Sequence, residues 1–306
     1  MTILNLAIII AGPTAIGKTA VGIEVSKRLG GEIISADARQ VYEEMPIGTC
    51  APIDPEIKHH LVGYISPNKT CTAFNWAKLA VERLNQIQKG GGVPVIIGGT
   101  GLYIKALTEG IFEAPKPDVS IRLDLEARLN NGENLFSLLT KLDSESASKI
   151  HPNNHRRVIR ALEVYYSTGK SLSDNFEQTY SPASNWRFLK FFLNMNREQL
   201  YHQINKRVGM LLDGGWIDET RELMQSGFDE KSPGMSAIGY REIMSHLRGD
   251  ISYDELKADI AKKTRNYAKR QITWFSNRAG FLKIDLSRIA DVDCIDRITE
   301  EYHKIL

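Results

Sequence analysis

The stretch "AGPTAIGKTA", Ala11 to Ala20, follows directly on the apolar run Leu6-Ala7-Ile8-Ile9-Ile10. It fits G-x-x-x-x-G-K-[ST] at Gly12, Gly17, Lys18 and Thr19, the spacing of a strand, a phosphate-cradling loop and a helix N-terminus. Across Gly12, Pro13, Thr14, Ala15, Ile16, Gly17, Lys18 and Thr19 the backbone N–H groups point at an anion and the helix dipole favours it. Lys18 adds positive charge and Thr19 is placed to hold Mg²⁺. A phosphorylated compound is therefore expected to bind here. The motif leaves open which compound it is, and whether its phosphate is transferred or departs.

The flanking sequence predicts an α/β fold. Leu6 to Ala11 reads as a buried strand, Lys18 to Leu29 as a helix, Glu32 to Ala36 as a second strand, Phe74 to Gln88 as a helix and Val93 to Ile97 as a further strand. Strands alternating with helices imply right-handed crossovers and a parallel sheet that binds ligands at its carboxyl end. The pattern changes at "APKPD", Ala114 to Asp118, a proline-rich joint, and from Ser120 to about Lys170 only helical periodicity is visible. A strand-like run, Phe188 to Leu193, follows, and helices fill most of the rest. The expected organisation is a P-loop core of parallel sheet flanked by helices, residues 1–117 and 178–306, carrying a small all-helical insertion, residues 118–177.

Composition narrows the partners. With 306 residues, 42% of them hydrophobic, the chain can bury one large core or one core and a small appendage. A net charge of +2 does not announce nucleic-acid binding, so any such site must rest on where charges cluster. No apolar run approaches the roughly 20 residues of a membrane span, and the short stretch before the phosphate loop does not read as a secretion signal. A cytoplasmic location with no membrane partner is expected. Cys50, Cys71 and Cys294 form neither a C-x-x-C pair nor an even set, which argues against zinc or a disulfide framework. His59-His60 lacks further ligands at suitable spacing and reads as structural, and Phe74 and Trp76 read as core.

A nucleotide kinase of this fold usually carries an acid after a later hydrophobic strand. Here "VPVIIGGTG" ends in glycines and Thr100, and "FLKFFLN" ends in Asn194. The acid at a strand end is Asp37 in "EIISADARQVY", on a strand expected to lie next to the phosphate loop. It can serve as Mg²⁺ ligand, general base or cap. Farther on, "AKKTRNYAKRQITWF" supplies Lys262, Lys263, Arg265, Lys269 and Arg270 with Tyr267 and Trp274 interleaved and no acid from Ile260 to Ala279. Lys262, Arg265 and Lys269 share one helical face. That face reads either as an RNA path or as a solvated charge run.

Eight segments, "GPTAIGKT", "ISADARQVY", "PIGT", "HHL", "GGTGLYIKAL", "HPNNHRRVIRALEVY", "AIGYRE" and "KRQITWF", taken in order over nearly the whole chain, resemble the tRNA dimethylallyltransferases, or tRNA isopentenyltransferases. The resemblance implies that the loop binds the diphosphate of dimethylallyl diphosphate with Mg²⁺, and that the five-carbon group moves to N6 of the adenine 3′ of the anticodon. It implies Asp37 as the base, Thr100 beside it to orient the amine, and Arg207 on the diphosphate. It implies tRNA contacts from Asp37, Ala38, Arg39 and Gln40 and from Ser236, Ala237, Ile238, Gly239, Tyr240 and Arg241, while the basic clusters Lys262, Arg265, Lys269 and Arg270, and Arg156, Arg157 and Arg160 on one helical face of the insertion, are expected to line the RNA path. A target base leaving its stack in the anticodon stem-loop costs a few kcal/mol at most, and a monomer suffices for such a reaction.

Three positions depart from the family pattern. Ala38 replaces a serine, Ala51 a lysine, and Gln203 the first of two paired arginines. Two other classes of protein fit parts of the sequence. A P-loop kinase for a small molecule or nucleoside, binding ATP, leaves the "KRQITWF" segment without a purpose. A tRNA-binding paralogue with weakened catalysis would bind RNA and modify nothing.

Overall fold

The computed structural model describes residues 5–51, 57–113, 118–176 and 179–305. The chain first makes β1 (Leu6–Ala11), α1 (Lys18–Leu29), β2 (Gly31–Ser35), α2 (Pro46–Thr49), β3 (His59–His60), α3 (Ala73–Lys89), β4 (Val93–Gly98) and α4 (Gly101–Thr108). Next come α5 (Val119–Asn130), α6 (Leu135–Leu142), α7 (Ser144–Lys149), α8 (His155–Thr168) and α9 (Leu172–Phe176). The last segment holds β5 (Arg187–Asn194), α10 (Arg197–Leu211), α11 (Ile217–Gln225), α12 (Tyr240–Leu247), α13 (Tyr253–Ser276), β6 (Phe281–Asp285) and α14 (Asp291–His303). Two compact units result, Met1–Thr108 with Pro182–Leu306, and Glu109–Ser181. The expected boundaries at 117/118 and 177/178, like the joint at 114–117, adjoin or fall on residues outside those described.

The larger unit is built on a parallel sheet in the order β3-β2-β4-β1-β5-β6. Every residue of β1 is buried, as a β-branched run covered on both faces requires. Ile8 and Ile10 on β1 and Val95 and Ile97 on β4 join Phe191 on β5 and Val25 on α1 in one core. Trp76, fully buried on α3, donates from its indole to Ser35 O at 3.0 Å and stacks on Tyr103 with centroids 4.7 Å apart. His60 binds Glu32 at 2.6 Å, a structural pairing.

Two features differ from the expectation. β2 is not beside the phosphate-loop strand, because β4 lies between them with Ile8 opposite Val95 and Ile34 opposite Ile96. The chain leaving β2 crosses the end of β4 instead: Ala36 N donates to Ile97 O at 2.7 Å and Thr100 N to Ala36 O at 3.1 Å. The crossing is so close that a Cβ on Gly98 would stand 2.1 Å from Ala36 O. The second difference is β6, an edge strand within a region expected to be helical, in which Ile284 alone is buried.

The smaller unit is all-helical as described. Asp118, Asn134, Asp143 and Asn154 cap its helices, and Leu125, Leu135, Leu139, Val158 and Leu162 form its core. Glu163 is fully buried there and accepts from Arg122 Nε and Nη2 at 2.8 Å each and from Arg160 at 3.3 Å.

Candidate active site

A cavity of about 580 Å³ opens at the carboxyl end of the larger unit's sheet. One side is the phosphate loop. Gly17, at φ 95°, turns the chain into α1, a conformation that favours glycine, so the loop amides precede a helix N-terminus. Ile16 points into the core, 3% exposed, and Pro13 is buried, while Thr14, Ala15, Lys18 and Thr19 line the cavity. Lys18 donates to Pro13 O at 2.7 Å. Its pKa is lowered to about 8, first by burial and then by the charge of Arg207, with Asp37 opposing.

That shift has a measurable sign. A bound diphosphate favours the ammonium and raises the Lys18 pKa above its value of about 8 in the free site. Between the two values binding takes up a proton, so affinity for a diphosphate ligand falls as pH rises through about 8. Calorimetric titration of inorganic diphosphate in buffers of different ionisation enthalpy reads that uptake. Binding with no proton exchange and no pH dependence across that range would contradict it.

Asp37, Arg39, Gln40 and Tyr267 line the cavity along with the phosphate loop. Asp37 Oδ1 accepts from Arg39 N at 2.8 Å, which closes a tight turn and, among the described residues, leaves its second oxygen open. Thr100 Oγ1 accepts from Ala38 N at 2.9 Å. Its own proton is then free to be donated to another acceptor. Burial and then the Asp37 charge push the Tyr267 phenol up to about 12, so it stays protonated beside the carboxylate. Sequence reasoning treated Tyr267 only as an aromatic within a basic run.

Tyr267 comes from α13, which begins with a capping box between Ser252 and Glu255 and presents Thr264, Tyr267 and Gln271 to the cavity at helical spacing. Gln271, 4% exposed, accepts from Thr14 N at 2.9 Å and donates to Gly99 O at 2.9 Å. One amide thus ties the phosphate loop to the end of β4. Trp274, expected along an RNA path, packs on Gly101 instead, where a Cβ would lie 2.1 Å from its Nε1.

The facing wall is the turn Gly48, Thr49 and Cys50 with Arg207 from α10. Buried Glu219 accepts from Ile47 N at 2.6 Å, Gly48 N at 3.0 Å and the Tyr240 hydroxyl at 2.7 Å. Gln40 donates to Cys50 O at 2.9 Å and accepts from Ser35 Oγ at 2.7 Å. The turn so held presents the Cys50 sulfur to Arg207 Nε at 3.1 Å. Glu219 was not legible as a site residue, since nothing in sequence marks a charged residue of an amphipathic helix as buried.

The candidate RNA contacts divide by exposure. Ser236, Ala237 and Ile238 line the cavity, and Ser236 Oγ accepts from Arg39 Nη1 at 3.1 Å. Ser236 to Ile238, Arg241, Lys263 and Arg270 border an adjoining groove. Gly239 is buried, its N–H taken by Glu242 at 2.6 Å. Tyr240 is a correction: it is fully buried, with its hydroxyl on Glu219, and offers no surface to RNA. Gln40 likewise spends its amide internally. Lys262, Lys269 and Arg270 are exposed, whereas Arg265 donates to Asn205 at 2.6 Å and lies over the Tyr201 ring. The acid-free stretch is not uncompensated, because Lys263 meets Glu242 at 2.6 Å and Asp259 at 2.7 Å. In the smaller unit Arg156 and Arg157 are exposed, and Arg160 serves buried Glu163.

Among the described residues no group of three or more His, Cys, Asp or Glu could hold a metal ion. The Thr19 hydroxyl at the cavity wall fits a hard cation that takes most of its other ligands from phosphate oxygens and water.

The profile of the family IPPT, IPP transferase, matches residues 40–278. The chain is 38% identical over 304 residues to a tRNA dimethylallyltransferase of Petrotoga mobilis, covering 98% of this chain and 100% of that one. The crystal structure of a tRNA delta(2)-isopentenylpyrophosphate transferase from Staphylococcus epidermidis aligns with a TM-score of 0.70 at 36% identity, over 98% and 99% of the two chains. A eukaryotic dimethylallyltransferase acting on tRNA aligns with a TM-score of 0.74 at 26% identity, over 97% of this chain and 77% of that one.

Proposed function

We infer the reaction from one premise: the chain belongs to the IPP transferase family. It is an enzyme that transfers the dimethylallyl group of dimethylallyl diphosphate to N6 of the adenosine immediately 3′ of the anticodon in tRNA, releasing diphosphate. The observation that carries this reading is that Lys18 and Thr19 of the phosphate loop and the carboxylate Asp37 line one cavity. A diphosphate and a nucleophile that must lose a proton therefore have their partners in one space.

The N6 lone pair attacks C1 of the allyl group as the bond from C1 to the bridging oxygen breaks, and that oxygen keeps the electron pair. The N6 proton passes to Asp37, the role we propose for its open oxygen. Lys18, Arg207 and the loop amides meet the charge that builds on the leaving diphosphate, which is where preorganised donors act most strongly. Thr100 holds the Asp37 turn through Ala38 N, and Tyr267, lining the cavity with Asp37, borders the amine. Mg²⁺ on Thr19 would neutralise phosphate charge. We propose that the enzyme acts as a monomer on the anticodon stem-loop.

The test is incubation of the pure protein with unmodified tRNA, Mg²⁺ and labelled dimethylallyl diphosphate. Label is expected in N6-(dimethylallyl)adenosine. ATP turnover that ignores tRNA would favour a kinase, and tRNA binding without label a weakened paralogue.

We place RNA backbone contacts on Lys262 and Lys269, exposed with no ion pair among the described residues, and on Arg156 and Arg157 of the smaller unit. Each true phosphate contact removed lowers the slope of log affinity against log salt by about one unit. The double variant Lys262→Ala/Lys269→Ala is thus expected to lose about two units while dimethylallyl diphosphate binding persists. An unchanged slope in a salt titration would mean that this face is merely solvated.

A further inference from the structure

The cavity has an apolar wall that the chemistry above does not use. Ile204, Arg207, Val208 and Leu211 follow one another at helical spacing on α10 and all line the cavity. Arg207, whose charge acts on Lys18, is therefore continued along the same face by Val208 and Leu211. A kink within Leu212–Trp216, with Gly215 at φ 98°, then separates α10 from α11. The chain kinks there rather than continuing the face of α10, and beyond the kink Trp216 borders the same cavity as Leu211.

The indole is fixed in place. Trp216 is 2% exposed. A Cβ on Gly48 would stand 1.9 Å from its Nε1 and one on Gly239 2.0 Å from its Cζ2, so backbone presses on the ring from two segments. Tyr240 meets it edge to face at 5.7 Å, and the Tyr240 hydroxyl is itself held by Glu219. The ring cannot swing aside without displacing these elements.

We propose that Trp216 sets the length of the prenyl chain, closing the apolar end of the cavity one isoprene unit from the diphosphate. The proposal rests on the prenyl-transfer reading above. From Arg207 to Leu211 the helix advances four residues, roughly 6 Å at ~1.5 Å per residue, enough for one branched five-carbon unit. A second unit would run into the indole. Packing differences of one or a few methylenes give modest discrimination, but a rigid stop against five additional carbons excludes the longer chain sterically.

The experiment compares dimethylallyl and geranyl diphosphate, both as competing ligands on the tRNA-free protein and as donors to unmodified tRNA. The wild-type protein is expected to favour the five-carbon compound at least 10²-fold in both. Trp216→Ala is expected to raise the geranyl-to-dimethylallyl ratio at least tenfold. Leu211→Ala, at a half-buried position, is expected to shift it in the same direction and decides the matter if the tryptophan variant does not fold. Equal binding of both compounds by the wild type, or folded variants that keep its ratio, would overturn the proposal. Absence of transfer from either donor would count against the prenyl-transfer reading, and the binding ratio would still judge Trp216.

Discussion

Asp37→Asn is expected to lower single-turnover transfer by roughly 10² to 10⁴, the usual worth of a positioned general base, while diphosphate and tRNA binding persist. The substitution is nearly isosteric, and the amide oxygen can still accept from Arg39 N as Oδ1 does at 2.8 Å, so the turn keeps its shape. What is lost is the carboxylate's ability to take the proton of an attacking amine. An exocyclic adenine amine has its lone pair delocalised into the ring, so bond formation without proton removal leaves an unstable ammonium. Transfer assayed with both substrates saturating isolates the chemical step. Near-normal transfer by a variant of unchanged affinity would remove Asp37 from the role proposed for it.

Lys18→Ala is expected to cost roughly 10² to 10³ in kcat/KM for dimethylallyl diphosphate, the magnitude seen when one preorganised donor is removed from a developing anion, with tRNA affinity nearly unchanged. The ammonium already rests on Pro13 O at 2.7 Å inside the loop, so it does not have to be gathered from solvent when the ligand arrives. Its removal deletes a charge and one of the contacts that hold the loop closed. Lys18→Arg is expected to rescue poorly, because a forked guanidinium cannot occupy the place of a compact ammonium. Dissociation constants for dimethylallyl diphosphate and for tRNA, measured separately, check this. An equal loss for both ligands would indicate that the loop had collapsed.

The legible parts of this molecule were those written in local spacing. The phosphate loop declares itself because the strand, the glycines and the lysine must follow one another along the chain. β1, β4 and β5 show as apolar runs because both their faces are covered. β6 did not show, since one buried residue, Ile284, in a five-residue edge strand carries no periodicity. Burial of polar groups was also illegible. Glu219, Gln271 and Tyr240 look like ordinary members of amphipathic helices, and only the pairing of distant segments makes one a clamp on Ile47 and Gly48 and another a bridge from Thr14 to Gly99. Lys263 illustrates the converse, since Glu242, which neutralises it along with Asp259, lies on another helix.

The strand order has a consequence for what kind of chemistry this sheet can host. Neighbouring strands stand about 4.8 Å apart, so an acid ending the strand next to β1 would reach the phosphates themselves and serve a metal held there. With β4 interposed, the chain leaving β2 must cross the end of β4 to bring Asp37 to the cavity, so the end of one strand lies between loop and acid. That interval accommodates, in a row across the sheet's edge, a departing oxyanion, the carbon it releases and the nitrogen that captures it. A proton acceptor belongs at the far end of such a row. The loop can then release its oxyanion at one end of that row while the acid receives a proton at the other.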